Sequence, residues 1–301
     1  MYTITMNKFK KAYYAGYFDG DGCFYLGKVS VKNRINPKYI QSVTITSTNN
    51  NILESLQNKF KGTLQKGKLY IDRIHHKPVY YYSLSKKNGI LFTNEIHKYL
   101  IEKKQQAECF IEFSKTKNKE PLIKEIKLLK EGNSVHEFMK KEFESQKMTI
   151  NPNFEDFAYL AGFIDAECSM GIQRYRSKVR PNYLYKIILQ CNNTKYQIFK
   201  WLLERFGGTI HFIDRKSKNI THNNQFTWRL CSKSFADILP KILPFLQYKK
   251  PLCIELMNFQ RTIQPRYGRG RSTQITIAYK SILKTREKIL HKIHILNKKG
   301  L

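Results

Sequence analysis

Acidic residues are scarce in this chain: 23 aspartates and glutamates stand against 54 lysines and arginines, a formal charge of +31. A surplus of that size points to a polyanionic partner, either nucleic acid or an anionic membrane surface. Long apolar runs are missing too. None approaches the ~18–20 residues needed to span a bilayer, which weighs against the membrane. Residues 1–11 hold neither an apolar signal core nor an Arg/Ser-rich transit pattern, so nothing there suggests export or import. Cys-x-x-Cys pairs and zinc-ligand spacings are also absent. Cys23, Cys109, Cys168, Cys191, Cys231 and Cys253 are scattered and read as reduced thiols, mostly core filler. Lys, Asn, Ile, Tyr and Phe are abundant, as AT-rich coding produces, which favours an organellar gene (mitochondrion or chloroplast).

What is present is a repeat, the first thing to look for in any fold argument. Residues 12–24 read Ala-Tyr-Tyr-Ala-Gly-Tyr-Phe-Asp-Gly-Asp-Gly-Cys-Phe, and residues 158–170 read Ala-Tyr-Leu-Ala-Gly-Phe-Ile-Asp-Ala-Glu-Cys-Ser-Met. Asp21 and Glu167 lie 146 residues apart, and so do Ile52 and Ile198, Phe60 and Phe206, Thr63 and Thr209, Leu84 and Leu230, and Lys103 and Lys249. One offset landing like on like means a duplicated domain, and 301 residues suffice for two cores.

Periodicity predicts an α+β fold. In the first copy it gives a helix at 8–19, strands at 23–31 and 40–48, and a helix at 52–60. Strands at 63–71 and 78–85 and helices at 89–99 and 105–114 follow, and the second copy repeats the order. The copies occupy 1–115 and 154–262. The linker, 116–153, reads as an amphipathic helix at 121–130 with Gly132 as its stop. A capping box, Ser134 to Glu137, then opens a second helix through Phe143. Residues 263–301 form a basic tail: an Arg/Gly-bearing loop at 266–271 and a helix at 277–296.

The repeated stretch also carries the chemistry. Ala15, Gly16, Asp19 and Gly20 recur three or four apart and share a helix face, as do Ala161, Gly162, Asp165 and Ala166. Small residues there let two helix backbones approach closely about a pseudo-twofold axis, with Asp21 and Glu167 emerging side by side. A helix C-terminus disfavours carboxylates, and two together repel further. A hard divalent cation with oxygen ligands, Mg²⁺ in the cell, is the compensation expected for Asp21 and Glu167. Asp19 and Asp165 read instead as structural parts of the interface.

The stretches Tyr14-Ala-Gly-Tyr-Phe-Asp-Gly-Asp-Gly22 and Leu160-Ala-Gly-Phe-Ile-Asp-Ala-Glu-Cys168 resemble the LAGLIDADG motif. The chain, to about residue 262, resembles the two-motif, single-chain LAGLIDADG homing endonucleases and intron maturases. That resemblance implies two αββαββα domains whose antiparallel sheets form a DNA-binding saddle. It implies metal at Asp21 and Glu167, assisted by the carbonyls of Gly20 and Ala166, with Mn²⁺ or Ca²⁺ as other ions able to bind. The reaction implied is hydrolysis of both strands across a minor groove, leaving 3′ overhangs. By alignment it places Gln190 and Thr44 beside the attacking water and Lys103 and Lys249 beside developing charge. Cys168, standing where the motif has glycine, is expected to strain the helix exit. Thr44, shorter than Gln190, is expected to make the two cuts unequal.

By the same resemblance, bases are read from the sheets in the major groove. Candidate readers are Tyr25, Thr46, Gln173, Tyr175 and Asn192, with Lys28, Lys66, Lys68, Arg73, Arg174, Arg176, Arg215, Lys218 and Arg229. The sequence leaves open which strand parity faces DNA. The expected partner is a double-stranded DNA target bound by a monomer, with no membrane. An alternative is an intron-encoded RNA maturase that assists splicing, with or without DNA cleavage, using the tail from Arg266 on intron RNA.

Overall fold

The 146-residue offset reappears in three dimensions, element by element. The computed structural model describes residues 6–30, 37–67, 78–131, 143–176, 183–214, 224–263 and 277–299. The first copy runs α1 (Lys8–Asp21), β1 (Gly22–Val29), β2 (Lys38–Ser47), α2 (Asn50–Phe60), β3 (Thr63–Lys66), β4 (Tyr80–Ser85) and α3 (Lys86–Ile96). A short 3₁₀ turn, His97–Tyr99, leads to α4 (Lys104–Phe113). The linker supplies α5 (Glu120–Glu131) and β5 (Phe143–Gln146). The second copy runs α6 (Phe154–Glu167), β6 (Cys168–Arg176), β7 (Tyr183–Asn193), α7 (Tyr196–Phe206), β8 (Gly208–Ile213), β9 (Gln225–Cys231), α8 (Ser232–Ile242) and α9 (Lys250–Arg261), and α10 (Ile277–Lys299) ends the chain.

The first sheet is ordered β1-β2-β4-β3 and the second β5-β8-β9-β7-β6, all antiparallel. Their registers coincide: Cys23 faces Thr44 and Thr44 faces Ser83, as Ser169 faces Gln190 and Gln190 faces Arg229. On each sheet one face is apolar and carries the core. Phe24, Val43, Ile45, Tyr82 and Leu84 pack with Phe92 and Phe110, while Met170, Leu189, Trp228 and Leu230 pack with Phe199, Leu256 and Phe259. On the opposite face Tyr25, Tyr81 and Tyr175 are exposed.

Helices α1 and α6 cross where the small residues predict. A Cβ added at Gly16 would fall on the Tyr159 carbonyl, and one at Gly162 on the Tyr13 carbonyl, so only glycine permits the approach. Asn7 caps α1 through its side chain, and Asn153 with Asp156 forms a capping box on α6. Both helices run directly into strands, with Gly22 at φ −89, ψ 157 and Cys168 at φ −96, ψ 152. Those torsions suit any residue, so the strain expected at Cys168 does not arise. Gly22 is needed for a different reason, because the Phe18 ring occupies the space of a Cβ there.

Three features lie outside the sequence expectations. Cys168 and Cys191 face one another across β6 and β7 and are joined as a disulfide. They are not free thiols, whereas Cys23, Cys109, Cys231 and Cys253 are. Phe143 opens strand β5 rather than closing a helix, and β5 adds a fifth strand by pairing with β8. Finally, α5 and α10 occupy matched positions. On α5, Glu120 takes Lys28 (2.8 Å) and the Tyr39 hydroxyl (3.4 Å); on α10, Glu287 takes Arg174 (3.6 Å) and the Tyr185 hydroxyl (3.0 Å). Lys28 and Tyr39 are the 146-offset counterparts of Arg174 and Tyr185. Helix α10 is further fixed by Arg286 to Thr262 and by Lys292 to the buried Glu255. Among the described residues no helix is long and apolar enough to cross a membrane. The capping box at 134–137 and the loop at 266–271 lie outside the described residues.

Candidate active site

The ends of α1 and α6 build one centre from two symmetric halves. The first acid of each motif is structural. Asp19 accepts the backbone N–H groups of Ile101 (2.8 Å), Glu102 (3.2 Å) and Lys103 (2.9 Å), and the Tyr159 hydroxyl from the other domain (2.5 Å). Asp165 accepts those of Gln247 (2.9 Å), Tyr248 (3.1 Å) and Lys249 (2.8 Å), and the Tyr13 hydroxyl (2.7 Å). Each aspartate therefore ties its helix to the segment before α4 or α9 and to the partner domain.

That tie delivers a lysine to each helix end. Lys103 Nζ donates to the Phe18 carbonyl (3.0 Å) and to that of Asp19; Lys249 Nζ donates to the carbonyls of Ile164 (2.5 Å), Asp165 (3.2 Å) and Cys168 (2.7 Å). Two ammonium groups thus offset the negative helix ends. Among the described hydrogen bonds neither takes the carbonyl of Gly20 or Ala166.

The last acids, Asp21 and Glu167, stand at the crossing itself. A Cβ on Gly20 would lie 2.5 Å from Ala166 Cβ and 2.9 Å from Glu167 Cγ. Burial pushes Asp21 up to about 6, against the pull of Lys249, Ser47 and Lys103. Burial and then the Asp21 charge push Glu167 up to about 7, against Lys103 and Lys249. Glu167 as a whole is nonetheless exposed. Beside it Glu102, also raised to about 7 by burial, receives the Asn193 amide at 3.3 Å. The pair is thus a desolvated anionic site, neutralised from below and open above.

A family model described as LAGLIDADG endonuclease matches residues 14–117, from the first motif through the first domain. Residues 14–117 therefore form a LAGLIDADG endonuclease domain. The second domain lies outside that match and repeats the first element by element. The meganuclease I-SmaMI bound to uncleaveable DNA is similar over 95% of this chain and 100% of that one, with a TM-score of 0.62 and 17% identity. The LAGLIDADG homing endonuclease I-LtrWI bound to target DNA aligns over 95% and 97%, with a TM-score of 0.63 and 17% identity. I-GzeII in complex with its DNA target aligns over 92% and 97%, with a TM-score of 0.57 and 17% identity. At such identities the likeness establishes the fold. No curated protein sequence matches the chain.

The two sheets show which strand parity is buried. Core residues Phe24, Leu26 and Met170 fix the apolar face. Alternation therefore places Tyr25, Thr44, Thr46, Gln173, Tyr175, Gln190, Asn192 and Arg229 on the open one. Lys28 and Arg174 fall on the opposite parity, ion-paired to Glu120 and Glu287 at the sheet edges. Arg176 shares that parity and lies over the Tyr183 ring, and Lys66 shares the parity of Leu64. Charge alone carries no information about which face of a strand a side chain takes. Lys68, Arg73, Arg215 and Lys218 lie outside the described residues.

Gln190 does not stand alone: Arg229 donates to its Oε1 at 2.7 Å, and its amide reaches Asn192 at 3.4 Å, where the Thr227 hydroxyl also donates at 2.7 Å. The matching positions in the first sheet are Thr44, Ser83, Thr46 and Tyr81. Sequence reasoning missed Tyr81 and Ser83; the run Tyr80-Tyr81-Tyr82 conceals that only its middle member, half exposed, faces out.

Proposed function

We propose that this chain is a site-specific double-strand DNA endonuclease that hydrolyses phosphodiesters with a divalent cation, Mg²⁺ in the cell, and leaves 3′ overhangs. The observation that carries this reading is the meeting of Asp21 and Glu167 at the crossing of α1 and α6. The donor set suits such a cation. Among the described residues no three His, Cys, Asp or Glu side chains converge into a closed cage. Mg²⁺, however, is commonly held by one or two carboxylates with substrate phosphate and water completing its shell. Asp21 and Glu167 would be the carboxylate ligands, with the carbonyls of Gly20 and Ala166 beside them. A bound cation would lower the pKa of the attacking water and offset charge on the leaving oxygen.

The chain's own residues do the rest. Lys103 and Lys249 favour the ionised form of both acids and lie close enough to meet charge developing on the phosphate. Gln190, oriented by Arg229, and Thr44 present hydrogen-bonding groups on the open face at equivalent register. Tyr25, Tyr81 and Tyr175, all exposed, offer flat surface to the DNA. The test is cleavage of a plasmid library with a randomised insert, in Mg²⁺, with the ends sequenced. Wild type should yield recurrent double-strand breaks with 3′ extensions. Asp21→Asn and Glu167→Gln should each lower cutting more than about 100-fold while binding persists. Full activity in both variants would refute the assignment.

A further inference from the structure

The first hairpin of each copy runs past the strands that flank it. In the first sheet β4 pairs with β2 only from Ser42 to Ser47, and in the second β9 pairs with β7 only from Ile188 to Asn193. Among the described residues no third strand pairs with 38–41 or 183–187, so these stretches and their partners, 26–29 and 172–176, are two-stranded ribbons. A two-stranded ribbon twists more than a sheet and is marginal alone. Each is held from its core side by a cross-strand pair, Lys28 with Tyr39 and Arg174 with Tyr185. The Tyr39 ring packs on Phe113 at 6.0 Å between centroids and the Tyr185 ring on Phe259 at 5.8 Å. Lys119, just ahead of α5, donates to the Phe113 carbonyl at 2.6 Å and lies over the Tyr39 ring. Arg286 of α10 donates to the Thr262 carbonyl at 2.6 Å and lies over the Tyr185 ring. The next residue in each case, Glu120 or Glu287, takes both the cation and the tyrosine hydroxyl of its pair. Part-exposed ion pairs add little to stability. In a chain with few carboxylates, two placed alike under two unsupported ribbons call for a role other than stability.

The ribbons lie well away from the acids. Lys28 is seven residues beyond Asp21, and Arg174 seven beyond Glu167, about 23 Å at ~3.3 Å per residue. DNA advances ~3.4 Å per base pair, so each ribbon stands about six or seven base pairs from the acids along a bound duplex. Its open face carries Val29 and Lys38 in the first copy and Gln173, Tyr175 and Lys186 in the second, with Lys186 over the Tyr175 ring. We propose that Glu120 and Glu287 are positioning residues for DNA reading. Each stands in for the missing third strand and holds its ribbon at the angle at which the open face meets the outer base pairs of one half-site. The cleavage centre, where each hairpin is flanked by further strands, does not depend on them. This proposal rests on the endonuclease reading above.

The test compares the full wild-type chain with Glu287→Ala, Glu287→Gln, Glu120→Ala and Glu120→Gln. Three quantities are read: preference at each base pair, from duplexes selected by binding out of a randomised library; kcat on a target recovered by cleavage; and hydrogen exchange of the free protein. Glu287→Ala should lower preference about five- to tenfold at the outer base pairs of one half-site, and Glu120→Ala at those of the other. Central preference and kcat should change less than about twofold. Exchange should quicken in 172–176 and 183–187 for Glu287→Ala and in 26–29 and 38–41 for Glu120→Ala, each leaving the other hairpin as it was. The Gln variants keep an acceptor for the tyrosine hydroxyl and the cation and should restore most of each loss. A uniform loss over all sequences, a fall in kcat with preference intact, unchanged outer preference or unchanged exchange overturns the proposal. If the wild type selects no sequence while the Ala variants still loosen their hairpins, it is the endonuclease reading that fails.

Discussion

Asp19 and Asp21 are two residues apart and do unrelated things. Asp19 is saturated by three backbone N–H groups and a tyrosine hydroxyl, so it holds the interface and offers nothing to a ligand. Asp21 is raised to about 6 by burial, and Glu167 to about 7 by burial and the Asp21 charge. Both folded values exceed the unfolded ones near ~4. The fold therefore favours the protonated forms, and their contribution to stability is fully present below about pH 4 and lost as pH rises through 6 to 7. In EDTA at pH 8, Asp21→Asn should accordingly melt about 2–4 °C above wild type, allowing for solvent screening of a part-exposed group. At pH 4 the two should coincide. Equal gains at both pH values, read by differential scanning calorimetry, would place the cause elsewhere. The interface parts of Asp19 and Asp165 and the side-by-side emergence of Asp21 and Glu167 are legible from the paired motifs. The tyrosines that reach Asp19 and Asp165 from the opposite domain are not, because nothing in the sequence says which hydroxyl crosses the interface.

At the scale of elements, the crossing of α1 and α6 admits no side chain at Gly16 or Gly162. Gly162→Ala should cost at least about 3 kcal/mol in urea denaturation, since two helix backbones must separate. Gly171→Ala, on the open face with nothing within 4 Å, is the control and should change stability by less than about 1 kcal/mol. A small loss at Gly162 would mean the helices can slide apart freely. Helices α2 and α3 were legible because their apolar spacing recurs at the same offset. Strand β5 was not, because Phe143-Glu-Ser-Gln146 has no alternation and forms only by pairing with β8. The disulfide escaped for a similar reason: its cysteines are 23 residues apart and meet only across a register.

For the whole molecule, the charge of +31 and the chemistry of the open sheet faces are two different things. The described open positions are largely neutral hydrogen-bonding groups and tyrosines, with Lys38, Lys186 and Arg229 the exceptions, whereas Lys28 and Arg174 are ion-paired at the edges. Excess charge should therefore set affinity for any DNA, and the neutral residues should set preference among sequences. Binding should weaken steeply between 50 and 200 mM salt, with roughly 0.9 log units of slope per phosphate neutralised. Gln173→Ala should alter sequence preference without changing that slope, measured by fluorescence anisotropy on a panel of duplexes. A reduced slope in that variant would assign Gln173 to the DNA backbone instead.

The pairing of Glu120 and Glu287 reaches further back. Glu120, Ile123 and Ile126 on α5 correspond to Glu287, Leu290 and Ile293 on α10, each pair 167 residues apart. The spacing thus lengthens by 21 residues (from 146 to 167) between the fourth and fifth helix of the second copy, and then resumes. Helix α10 therefore stands to β6 and β7 as α5 stands to β1 and β2, so each copy has a fifth helix that sets one glutamate against its own first hairpin.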